Sequence, residues 1–237
     1  IKSLYYAGFL SRALVAEGIE VDLPHLGGKR AATWFPISWV IYSVYLSEKI
    51  GYWRYILMDR HLKANPDQAF APLFVFFEPW CQDENRHGDC FTVMMRCWPG
   101  ITKGFRGKLL SRFFLWSVFL THTLTVCERG EFYELLGIDP KEFDEEVIKR
   151  TNHTSKNAFP WVFNLDDNKF WDLRNKIIES FRAFVGAKGL TKPVKFVKFA
   201  TLIFKQFALP MEKTNALRYD KDVNFTGQDI LNFWTDK

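Results

Sequence analysis

The chain has 237 residues, 48% of them hydrophobic and 25% charged, which suits one folded domain, or one with an appendage, and excludes general disorder. Aromatic side chains reach 17%, and 32 basic against 27 acidic residues leave a formal charge of +5. Residues 188–213 hold six lysines (Lys188, Lys192, Lys195, Lys198, Lys205, Lys213) and one acid, Glu212, so this single segment accounts for the excess. Four cysteines (Cys81, Cys90, Cys97, Cys127) are too few for a disulfide framework at this length, and a reducing compartment is the default. Cys90 and Cys97 share one helix face and are expected to be small buried hydrophobes. The chain starts at Ile1 without signal-like regions, as expected of a processed product or of part of a longer chain.

Residues 34–46 (WFPISWVIYSVYL) are strongly apolar but too short to cross a bilayer. Pro36 opens a predicted helix that runs to about Ala64 and is broken by Asn65-Pro66-Asp67. Pro72 opens a second, ending near Cys97 before Pro99-Gly100. A third covers about 107–128. Its segment 109–127 is long enough to span a membrane, yet Arg112, His122 and several hydroxyls favour a buried bundle helix. A short acidic helix is predicted at 140–150 after Asp139-Pro140, then a loop over 152–168, then helices at 168–186 and 193–208. No period-2 strand or internal repeat stands out, so the expected class is all-α. Residues 1–130 are expected to form the bundle, and 131–237 a helical extension packed on it as one structural unit.

The first two long helices carry the chemistry. Glu48 is surrounded at helical spacings by Ile41, Val44, Tyr45, Tyr52 and Tyr55, and Glu84 and His87 by Phe77, Trp80, Cys81, Gly88 and Phe91. Both carboxylates thus project from faces that look buried, which is costly unless they are paired, protonated or bound to metal. Glu48 lies 19 residues before Asp67 and Glu84 lies 17 after it. At about 1.5 Å rise per residue, an antiparallel hairpin brings them to within about 3 Å in height. Glu84 and His87 are i, i+3 neighbours that can meet one ion. A Glu facing Glu-x-x-His is half the ligand set of di-iron carboxylate bundles, and carboxylate plus imidazole suits iron or manganese. Asp83 and Arg86 flank this motif, and a neighbouring acid can orient a ligating imidazole. The competing reading is a buried ion-pair cluster of Glu48, Arg54, Glu84 and Arg86.

The helix at 193–208 alternates lysines with Phe196, Phe199, Ile203, Phe204 and Phe207, and Lys195, Lys198 and Lys205 fall on one side of it. That suits an anionic membrane surface or a solvated stripe on a packing helix. No nucleic-acid-binding module accompanies it. His61 reads as a surface residue and His122 as packed core. Asp22-Leu23-Pro24-His25 reads as a loop. Asn152-His153-Thr154 and Asn224-Phe225-Thr226 match a glycosylation triplet that matters only in a secretory compartment.

The stretches Trp80-Cys81-Gln82-Asp83-Glu84-Asn85-Arg86-His87-Gly88-Asp89 and Tyr45-Leu46-Ser47-Glu48-Lys49-Ile50-Gly51-Tyr52-Trp53-Arg54-Tyr55-Ile56 resemble the signatures of the aerobic magnesium-protoporphyrin IX monomethyl ester cyclases. Ser111-Arg112-Phe113-Phe114, Ser117-Val118-Phe119, Thr151-Asn152 and Phe159-Pro160 extend the resemblance over roughly residues 7–175. It implies a ferritin-like bundle with a di-iron centre, an oxidoreductase of the monooxygenase type. Such an enzyme uses dioxygen and electrons to oxidise a propionate methyl ester of the magnesium porphyrin and close the fifth ring of protochlorophyllide. It further implies peripheral attachment to a photosynthetic membrane, whether chloroplast thylakoid, inner envelope or bacterial. Glu48, Glu84 and His87 correspond to iron ligands on the third and fourth bundle helices. The family's other Glu-x-x-His ends just before an Ala-Gly-Phe-Leu stretch; here Ala7-Gly8-Phe9-Leu10 is preceded by Ser3 and Tyr6 at the Glu and His positions. The preceding ligand-bearing helix is missing, so one iron or none is expected for the chain as it stands. Either upstream residues supply the missing half, or the chain is a non-catalytic homologue serving as an accessory subunit of a photosystem or light-harvesting complex.

Overall fold

Proline sets both edges of the first hairpin. In the computed structural model, which describes residues 36–216, α1 (Ile37–Ala64) begins directly after Pro36 and stops at Asn65, ahead of a 3₁₀ turn over Pro66–Gln68. Ser3 and Tyr6, Asp22 to His25 and Asn224 to Thr226 lie outside the described residues. Pro72 opens a 3₁₀ segment (Pro72–Phe76) that passes into α2 (Phe77–Cys97), so the second predicted helix begins where expected but as the tighter form. Pro79 sits in the first turn of α2, where its missing N–H is no loss. As residue numbers rise along α1 they fall along α2, from Lys49–Asp89 through Tyr52–Cys81 to Lys63–Glu78. The two helices therefore run antiparallel.

A four-residue helix α3 (Pro99–Thr102) turns the chain into α4 (Gly104–Glu128), three residues longer at its start than predicted. The tightness of that turn requires Gly107, because a Cβ there would lie 2.0 Å from the Thr102 carbonyl oxygen. After α5 (Gly130–Leu135), α6 (Pro140–Ser155) is capped by Asp139, whose carboxylate accepts from the Glu142 N–H at 2.8 Å. The predicted loop at 152–168 is wrong at its start and in its interior, and right at its end, where the next helix begins at Asn168. Helix α6 continues one turn further because its polar residues find partners within the fold: Ser155 donates to the Thr151 carbonyl at 2.8 Å, and Asn152 to Phe163 O at 2.8 Å. Next comes β1 (Trp161–Phe163), then α7 (Asn168–Val185), α8 (Thr191–Phe207) and β2 (Met211–Lys213). The two strands pair antiparallel, Val162 opposite Glu212. Three residues per strand are too few to display a period of two, so the sequence hid them.

Two hydrophobic clusters flank α1. One joins Tyr42, Tyr45 and Leu46 to Leu115 and Phe119 of α4, Ile148 of α6, and Phe159, Phe163 and Phe170; the other joins Met58 and Leu62 to Phe77, Val126, Tyr133, Phe143 and Val147. Helix α4 is long and apolar enough to cross a membrane, yet Leu115 and Phe119 are buried among α1, α6, α7, α8 and β1. Four single-residue expectations divide. Cys97 is buried as expected, but Cys90 is exposed. His61 is not a plain surface residue: its Nε2 lies 2.7 Å from both Gln68 Oε1 and the Leu136 carbonyl. His122 is packed core, paired with Asp144. On α8, Phe199 packs against Phe181 and Phe184 of α7, while Lys195, Lys198 and Lys205 are exposed together with Val194, Val197 and Phe204.

Candidate metal centre

The α1–α2 hairpin brings together the carboxylates expected to face each other. Glu48 Oε2 lies 3.0 Å from His87 Nδ1, and the Glu84 carboxyl hydrogen-bonds to that of Glu48. Glu48 is thus the hub, touched by both residues of the Glu-x-x-His pair. Room for Glu84 comes from Gly51, one turn beyond Glu48 on α1: a Cβ there would approach Glu84 Oε2 to 3.3 Å. Glycine inside a helix is normally a loss, so its place here marks a close approach.

Burial, then the hydrogen bond and charge of Glu48, push the Glu84 carboxyl up to about 8, against a smaller opposing pull from Arg54. At neutral pH Glu84 therefore holds its proton, as a desolvated carboxyl beside a second acid does. His87 is more open than its sequence neighbourhood suggested, with 52% of its side chain exposed against 19% for Glu48. Arg86 turns to Asp83, with 3.5 Å between Nη1 and Oδ1, and the carboxylate beside the imidazole is that of Glu48. Among the described residues, no three His, Cys, Asp or Glu side chains gather into one ion-sized group. The donor set nevertheless fits iron in chemistry: two desolvated carboxyls in contact, one holding a proton that a cation can displace, beside an imidazole nitrogen.

Sequence reasoning missed what holds the hairpin in register at this point. Lys49, 2% exposed, reaches the Asp89 carboxylate at 2.6 Å and Asn85 Oδ1 at 2.9 Å. The signal was available as a lysine in an otherwise buried helix face opposite an in-helix glycine, Gly88. Towards the turn of the hairpin, Tyr55 packs on Phe77 and Trp80 at ring distances of 5.2 and 5.7 Å.

A family model described as Rubrerythrin matches residues 6–95, the stretch that includes this hairpin. The magnesium-protoporphyrin IX monomethyl ester oxidative cyclase of Prochlorococcus marinus (strain MIT 9313) is 73% identical over 214 residues, which cover 90% of this chain and 61% of that protein. The chain is a homologue of the oxidative cyclases. The likeness extends to the oxidative cyclase 2 of Thermosynechococcus vestitus, 51% identical over 204 residues (86% of this chain, 57% of that one). It extends also to the oxidative cyclase 2 of Synechocystis sp. (strain ATCC 27184 / PCC 6803 / Kazusa), 53% identical over 166 residues (70% and 46%). The chain thus spans about 60% of the length of the Prochlorococcus cyclase it matches. No solved structure matches it. With the helical architecture above, the rubrerythrin match supports a ferritin-like bundle.

Proposed function

We propose that this chain carries the oxidative cyclase activity of its relatives: oxidation of a propionate methyl ester side chain of a magnesium porphyrin to form the fifth ring of protochlorophyllide. The observation that carries the reading is the desolvated Glu48–Glu84 carboxyl pair with His87 against it, inside the most characteristic stretch shared with the cyclases. Glu48, Glu84 and His87 would hold iron, which when bound supplies the activation of dioxygen. The side chains supply the rest. Glu84 would give up its proton to a cation and Glu48 would join Glu84 and His87 in holding it, while Gly51 leaves the space that lets the two helices meet. The remaining ligands would come from the segment upstream of Ala7 or from residues beyond this chain, since Ser3 and Tyr6 do not match the family's Glu and His. Helix α8 would rest on an anionic photosynthetic membrane through Lys195, Lys198 and Lys205, as a peripheral contact. Its exposed Val194, Val197 and Phe204 beside those lysines support this.

Anaerobic reconstitution with ferrous iron tests the centre. The parent chain binds iron in stoichiometric amount, and Glu84→Ala loses both the iron and protochlorophyllide formation. A parent that takes up no iron overturns the reading.

A further inference from the structure

Lys49 is an unusual residue to bury. Its side chain is 3% exposed, whereas its counter-ion Asp89 is 64% exposed, so the ammonium is drawn through the helix interface towards a carboxylate at the surface. Its stem passes directly over Gly88: a Cβ at that glycine would lie 2.5 Å from Lys49 Cε and 2.7 Å from Cδ. Beyond Gly88 the Nζ donates to Asp89 Oδ1 at 2.6 Å, to Asn85 Oδ1 at 2.9 Å and to the Asn85 carbonyl at 3.3 Å. One α1 side chain thus grips consecutive turns of α2 by three acceptors, with the glycine as the saddle between them.

The members of this grip have a fixed relation to the candidate centre. Lys49 directly follows Glu48, Asn85 follows Glu84, and Gly88 follows His87. Each proposed ligand is therefore one residue, about 1.5 Å of helix rise and 100° of rotation, from a member of the grip. A residue cannot slide or rotate on a helix independently of its neighbour, so fixing Lys49 against Asn85, Gly88 and Asp89 fixes the height and rotation at which α1 presents Glu48 to Glu84 and His87 of α2. An apolar side chain at 49 would fill the same space without setting register, because dispersion contacts tolerate sliding and directed hydrogen bonds do not.

We propose that Lys49, with Gly88 and Asp89, is a positioning device for the Glu48–Glu84–His87 centre: it sets the α1–α2 register on which metal binding depends, without touching the ion. The inference rests on the metal reading above. Three variants separate the two. Lys49→Met keeps the stem over Gly88 and removes the ammonium, Asp89→Asn alters a surface-exposed partner with little risk to folding, and Glu84→Gln removes a proposed ligand. The probe is cobalt(II), titrated into the whole chain, with affinity and the visible ligand-field spectrum as readouts and far-UV circular dichroism as the check on folding.

Lys49→Met and Asp89→Asn are expected to stay helical, to bind cobalt about tenfold more weakly and to show a shifted spectrum. The double variant is expected to be no worse than Lys49→Met, because both changes remove one interaction. A residue with only a structural role would lower the melting temperature and leave the spectrum of the folded protein alone. Unchanged affinity and spectrum in both single variants, with cobalt lost in Glu84→Gln, overturns the positioning role and leaves the centre standing. Cobalt binding by Glu84→Gln equal to that of the parent overturns the centre, and the positioning role falls with it.

Discussion

Two polar clusters in this molecule are built from the same pair, an imidazole Nδ1 against a carboxylate, and they end in opposite states. His122 meets Asp144 Oδ1 at 2.7 Å with both side chains 3% exposed, and the chain then closes the charge itself. Arg174 Nε lies 2.9 Å from the other Asp144 oxygen, Thr123 donates to the same carboxylate at 2.9 Å, and Arg174 Nη2 donates to the Lys141 carbonyl at 2.9 Å. Glu48 meets His87 at 3.0 Å, but its second contact is another acid, Glu84, and the one cation that eases Glu84 is Arg54 acting at range. The first cluster is balanced in charge inside a core, and its one open position is the buried His122 Nε2. The second is short of positive charge and keeps a proton in its place. A buried carboxylate is thus no sign of a metal site in itself; what sets the second cluster apart is the missing counter-charge.

Breaking the balanced cluster has the largest expected effect. Arg174→Met strands Asp144 in the core and should cost about 3–5 kcal/mol. That corresponds to a melting temperature lower by about 6–20 °C, read by thermal denaturation. If stability hardly changes, the two clusters do not differ in the way described.

The unbalanced cluster should respond in the opposite sense. In metal-free protein the folded-state value of Glu84, about 8, lies above the ordinary carboxyl value of 4.5. The unfolded chain therefore releases this proton first, so the contribution to stability is complete below about pH 4.5 and is lost as pH rises towards about 8. Glu84→Gln removes that loss. The variant should match the parent in mild acid and be the more stable of the two above neutrality, as measured by urea unfolding at several pH values. A parallel pH dependence in both proteins would show that Glu84 is not the group responsible.

The smallest effect is expected at the surface. Lys63 bridges Asp59 Oδ2 at 3.0 Å and Glu78 Oε2 at 2.6 Å, with the Lys63 and Glu78 side chains more than half exposed. Lys63 holds the Glu78 carboxyl below its usual range, so any contribution is present at neutral pH and fades as pH falls. Water and salt screen such a pair, and Glu78→Gln should leave the melting temperature unchanged within error.

Much of this was legible in the residues because the strong signals are local. Pro36, Asn65-Pro66 and Pro72 fix helix ends by removing donors and φ freedom, and the register of Glu48 against Glu84 follows from counting along two helices joined by a short turn. The Asp144–Arg174 partnership was not legible, since it joins α6 and α7 through tertiary packing and neither residue stands out by spacing. The Lys49 grip escaped because a lysine in a helix reads as solvated unless the glycine opposite it is weighed at the same time. The exposure of His87 and Cys90 escaped because periodicity marks a face but not whether anything covers it.

The pairing of β1 with β2 carries a consequence for the order of folding. Phe163 and Met211 are partners, yet all of α7 and α8 lies between them. Closing a flexible loop of that length costs about 3 kcal/mol in chain entropy beyond a constant, as much as or more than three residue pairs at about 0.2–1 kcal/mol each return. Pairing of α7 with α8 first, through Phe199 on Phe181 and Phe184, shortens the effective loop to a few residues and makes the closure affordable. The small sheet is therefore a late clasp on a preformed helical hairpin, and its amides should be among the first in the folded unit to exchange with solvent.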